Sequence, residues 1–146
     1  MSQHQKIRYG WIKFMYWYTI IGAGLSGLGM LFFPQQMIKI NNFAPQDPMM
    51  FGVVASVWVA FGILSIFGLR SPLAFLPVLM MQLFYKSIWV IAVVLPLFIH
   101  GQLTANDAVF VTGMLTYIIG DLIAIPFSYV FSRQAEPFGA ELADSL

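Results

Sequence analysis

The sequence predicts an all-α protein, an antiparallel bundle of four transmembrane helices, and three observations carry the prediction. Of the 146 residues 60% are hydrophobic and 9% charged, too little charge to clothe an ordinary water-soluble domain. Apolar runs cover residues 14–33, 49–69, 72–99 and 108–131, and each reaches the roughly 20 residues a helix needs to cross a hydrocarbon core. Between the second and third runs, Gly68-Leu69-Arg70-Ser71-Pro72 leaves space only for a tight turn, which makes those helices antiparallel neighbours. Residues 1–131 then form one membrane domain. Residues 132–146, where Glu136, Glu141 and Asp144 surround Pro137 and Gly139, form a cytoplasmic tail.

The first span follows Lys6, Arg8 and Lys13, a flank that a signal peptide would also have. Its apolar run of about 20 residues, with no small-x-small cleavage site, identifies it as a helix that stays. It carries Gly22, Ala23, Gly24, Ser26 and Gly27, small residues that either admit another backbone or border a space. In the next segment Met37, Ile38, Ile40 and Phe43 alternate with Lys39, Asn41 and Asn42 over a stretch too short to span, as in an interfacial loop or short surface helix. Asp47-Pro48 and Ser71-Pro72 each offer a capping oxygen followed by a proline at the first helical position, and so open the second and third helices. Thr104 and Asp107 have capping-box spacing, with Asp for the usual Glu, at the entry to the fourth. Pro77, Pro96 and Pro126 are expected to kink the helices that contain them.

Topology follows from the basic residues. Lys6, Arg8, Lys13, Arg70 and Arg133 fall on one side and Lys39 alone on the other, so the positive-inside rule puts both termini in the cytoplasm of a bacterial inner membrane. The formal net charge is only +1 and the basic residues are dispersed, which speaks against a nucleic-acid partner. Tyr9, Trp11, Tyr16, Trp17, Tyr18 and Tyr129 lie near inner span ends, the usual place for an aromatic belt.

Lys86 and Asp121 locate the candidate site, because each stands alone near the middle of an apolar run. A charge at the bilayer centre costs at least about 2.5 kcal/mol, so two of opposite sign are expected to pair, directly or through water. At 1.5 Å per residue, Trp58, Lys86, Trp89, Tyr117 and Asp121 all lie roughly 13 to 21 Å from the outer ends of their spans. Gln82, Lys86 and Trp89 recur at i, i+4 and i+7, and Tyr117 and Asp121 at i and i+4, so each set forms one helical stripe. Two readings stand. The pair locks helix register, with Gln82 and Tyr117 satisfying leftover polar groups. Otherwise it marks a cavity in which Lys86 receives an anionic head, Asp121 a cation, and Trp58, Trp89 and Tyr117 the apolar part of a ligand.

Catalytic constellations are missing. The chain has no cysteine, hence no thiolate chemistry or cysteine-ligated metal, and no G-x-S-x-G, H-E-x-x-H or paired carboxylates within one span. His4 and His100 are expected on opposite sides of the membrane, which speaks against a bis-histidine haem or zinc site within one chain. No cofactor and no metal is expected.

One group shares the pattern of Gly24 to Pro34 (GLSGLGMLFFP), of Gly52 and Gly62 leading to Gly68-Leu69-Arg70, and of Gln82 with Tyr85-Lys86. In these the chain resembles the small DoxX-like four-helix membrane proteins, a resemblance that implies the fold and no functional residue. The expected function is non-catalytic: an integral membrane protein that binds a hydrophobic or amphipathic ligand, or a membrane partner, through its polar centre. The rivals are an accessory subunit, chaperone or immunity protein acting by surface contacts, and a small transporter working as a homo-oligomer. Membrane lipids are the expected surroundings in every case.

Overall fold

A computed structural model describes residues 7–133, so nearly all of the expected tail lies outside the described residues. All regular structure among them is helical. Helix α1 spans Tyr9–Phe32 and contains one widened π turn at Ile20–Gly24. Helix α2 is the short Pro34–Ile40 and α3 spans Pro48–Arg70. Helix α4 spans Leu76–Ile99 with a π turn at Val90–Val94, α5 spans Ala105–Ala124 and α6 Phe127–Arg133. Helices α1, α3, α4 and α5 are long and apolar enough to cross a membrane.

Two of the expected starts are built as read. Asp47 Oδ1 accepts the Met50 N–H at 3.0 Å, ahead of Pro48 in the first turn of α3. At α5 the Thr104 N–H donates to Asp107 Oδ2 at 2.8 Å and the Asp107 N–H to Thr104 Oγ1 at 3.3 Å, a reciprocal capping box. Ser71 does not open the third long helix. Its carbonyl instead accepts the amides of Ala74 and Phe75 in a turn, and the Pro72 carbonyl is taken by the Tyr16 hydroxyl at 2.8 Å. Helix α4 begins at Leu76, with Pro77 in its first turn, where a proline kinks nothing. Pro96 follows the π turn of α4, at a place where its missing N–H and its ring break the i to i−4 ladder. Pro126 ends the fourth span at Ala124, because the residue before a proline is driven from helical geometry and Ile125 has ψ 119°.

Helix α1 is the spine: it packs along α3 on one side and, through its first half, on α5, while α4 packs on α5. Helices α3 and α4, joined by the tight turn, touch only briefly. The glycines explain the choice of partner. A Cβ on Gly62 would lie 2.7 Å from Gly24 Cα, and one on Gly27 would lie 2.8 Å from the Ala55 carbonyl and 2.9 Å from the Val59 amide. Only hydrogen lets these two backbones meet. Between α3 and α4, rings fill the space: Phe61 stacks on Tyr85 at 5.6 Å and Phe67 on Phe75 at 6.0 Å.

The outward faces are apolar at mid-helix, with Ile21, Leu25, Ile63, Ile66, Ile88 and Ile119 each at least half exposed. Polar side chains turn inward, and Thr19, Ser65, Gln82, Lys86 and Asp121 are all buried. Apolar outside and polar inside is the distribution that a lipid solvent selects.

A cavity ending on a buried lysine

Because α3 and α4 are held apart, a partly enclosed cavity of about 280 Å³ runs from the α2 end of the bundle to Lys86. Met30, Met37 and Met114, with Tyr18, Trp58, Tyr85, Phe110 and Tyr117, give it aromatic and thioether walls. Gly22, Ala23 and Ser26 form the α1 wall, and Asn41 and Phe43 stand beyond α2. The glycines of α1 therefore divide the two roles open in the sequence: Gly24 and Gly27 admit α3, whereas Gly22 lines the cavity and leaves room for the Tyr117 hydroxyl, which a Cβ there would strike. A second hollow of about 410 Å³, against Leu73, Pro77 and Met80 at the other end, has no charged group among the described residues that line it.

Lys86 is 1% exposed, yet its ammonium is far from fully bonded. Its Nζ donates to Gln82 Oε1 at 2.9 Å and sits over two rings, 4.0 Å from the centroid of Tyr117 and 4.6 Å from that of Tyr85. An ammonium carries three donors, so two remain for the rings and the cavity. A desolvated cation over an aromatic face gains about 2 kcal/mol or more, but a ring supplies no opposite charge. Gln82 is held in turn: its Nε2 donates to Thr19 Oγ1 at 2.8 Å, and Thr19 donates to the Met15 carbonyl at 2.8 Å. This chain fixes the carboxamide with its oxygen toward Lys86.

Asp121 lies outside the cavity wall and is 0% exposed. Direct pairing with Lys86 does not occur. Both carboxylate oxygens are buried without a hydrogen-bond partner among the described residues, although each of the two charges acts electrostatically on the other. The ammonium is oriented instead by Gln82, one turn away on the same helix. The Tyr85 hydroxyl is likewise buried, beside the Trp58 indole at a geometry short of a hydrogen bond.

Of the six residues singled out in the sequence, Lys86, Trp58 and Tyr117 line the cavity, Gln82 orients the lysine from behind, and Asp121 sits beneath. Trp89 does not line the cavity and stands edge-on to Phe110 at 5.8 Å. Phe110 was not legible as a site residue, yet it is the hub that Trp58 stacks on at 6.3 Å and Phe43 meets edge-on at 5.3 Å. Tyr16 and Tyr18 leave the expected belt. Tyr16 is fully buried in the core, and Tyr18 lies 4.4 Å from the Tyr117 ring and shares a 2.6 Å hydrogen bond with Thr116. The Tyr117 hydroxyl donates to the Tyr18 carbonyl at 3.1 Å.

Fold and site together define an all-helical bundle of membrane-crossing length with a polar centre and an amphipathic cavity. No protein-family model, curated protein or solved structure matches the chain.

Proposed function

We propose that the protein is a non-catalytic membrane receptor or carrier for a single-chain amphipathic anion, whose acidic head meets Lys86 and whose apolar part lies against Trp58, Tyr117 and the methionines. One observation carries this reading: the ammonium of a buried lysine borders the cavity with one acceptor and two rings around it and, among the described residues, no contacting carboxylate. Apolar walls with one convergent charge are the usual composition of a ligand site, and about 280 Å³ is near the lower limit for one. It suits a head and the start of one chain and is too small for a two-chain lipid. The glycine and hydropathy pattern keeps the DoxX-like group as the proposed kinship.

The test uses protein in phosphatidylcholine nanodiscs with Trp11→Phe and Trp17→Phe, leaving Trp58 and Trp89 to report quenching by bromine-labelled decyl sulfonate or decanol. The sulfonate is expected to bind at least tenfold more tightly than the alcohol. Lys86→Met combined with Asp121→Leu, which removes both charges, is expected to abolish that preference. A wild-type protein without the preference, or a double variant that keeps it, overturns the reading.

The same proposal places the protein in a bacterial inner membrane with both termini cytoplasmic, supported by the basic residues gathered at one set of span ends. The cavity then opens on the outer side. Fused after Leu146, a fluorescent protein that matures only in the cytoplasm should glow and alkaline phosphatase should be inactive; an active phosphatase reverses the orientation.

A further inference from the structure

Lys86 faces two sites at once, the cavity and the buried carboxylate of Asp121, and this has a consequence for charge. With Lys86 and Asp121 both ionised, the empty centre is neutral. An anion that enters and takes Lys86 leaves the centre with one net negative charge at the depth where the bilayer tolerates charge least. Among the described residues Asp121 has no donor with which to absorb it: both oxygens are unpartnered and the residue is 0% exposed. Its charge is felt by Tyr16 from α1, Lys86 and Tyr85 from α4 and Tyr117 from its own helix, and among these only Lys86 carries a cationic charge and acts back on it. Tyr16 and Tyr117 already donate their hydroxyl protons to the carbonyls of Pro72 and Tyr18.

Building on the anion-binding reading, we infer that Asp121 is a monovalent-cation site, filled by a proton or Na+ when the anion occupies Lys86, so that the two enter as an electroneutral pair. For the proton the balance is simple: one H+ from water bonds to one Asp121 oxygen, no other bond breaks, and the ligand stays an anion. For Na+ the two carboxylate oxygens are the available hard ligands.

Decyl sulfonate is the probe because its head does not titrate. Its affinity for the wild-type protein is measured by the same quenching assay, across pH at zero Na+ and across Na+ at fixed pH. A proton at Asp121 gives affinity that falls about tenfold for each unit of rising pH; Na+ gives affinity that rises with its concentration. Asp121→Asn should flatten whichever dependence is seen and Asp121→Glu should retain it. Uptake of one proton per sulfonate, read in weakly buffered solution on the wild-type protein, is the counterpart that needs no variant. Binding indifferent to both cations, or a dependence unchanged in Asp121→Asn, overturns the cation site while leaving the anion site standing. A wild-type protein that binds no sulfonate overturns both.

Discussion

Lys86→Met is expected to destabilise the bundle by about 3–5 kcal/mol, and Asp121→Leu added to it to return much of that loss. Methionine matches the lysine stem in length, so the cost is not a packing cost. It comes from the carboxylate of Asp121, which is completely buried with no hydrogen-bond donor among the described residues and loses the nearby cation that offsets its charge; stranding one of two buried opposite charges has a cost of about this size. Gln82 Oε1 also loses its donor, at about 1–3 kcal/mol for a buried acceptor left bare. Asp121→Leu alone leaves the ammonium with Gln82 and two rings and should be the milder single change. Titration with sodium dodecyl sulfate against helical circular dichroism, on all four proteins, gives the coupling. Additive losses, with no recovery in the double variant, would mean that the two charges do not share one electrostatic centre.

Gly62→Leu is expected to disrupt the α1–α3 contact. Even the first carbon of the new side chain would sit 2.7 Å from Gly24 Cα, and backbone cannot rotate away as a flexible side chain would. Gly62→Ala should cost about 1–3 kcal/mol, the usual range for overpacking, and leucine more. Because α1 also forms one wall of the cavity, the loss should extend to ligand binding. Gly52, where a Cβ meets nothing within 4 Å, is the control: Gly52→Ala should leave the melting temperature close to wild type. A Gly62→Leu protein that melts like wild type would show that α1 and α3 do not meet through these glycines.

Much of this architecture was legible from single residues. Asp47 with Pro48, and Thr104 with Asp107, announced helix starts because a cap is decided within four residues of chain. Ser71 with Pro72 carried the same signal and was overruled, since Tyr16, 56 positions earlier, captures the Pro72 carbonyl and nothing local reports that. The two π turns were equally silent in composition, although Pro96 hinted at one of them.

The sequence by itself determined that four segments are long and apolar enough to cross a membrane and that Trp58, Lys86, Trp89, Tyr117 and Asp121 fall at similar distances from their span ends, because length, hydropathy and helical rise are properties of each segment alone. Tertiary structure alone decided who meets whom at that depth. Gln82 orients the ammonium from one turn away on the same helix, while Asp121 has no hydrogen-bond partner among the described residues. Gly24 and Gly62 draw α1 to α3 because only hydrogen fits between them. Rings hold α3 from α4, and the cavity is the space they keep, closed by Phe110 and Phe43 from segments that no periodicity marks. Depth is additive along one helix, whereas contact depends on which surfaces of several helices fit, and that is fixed only when all of them pack.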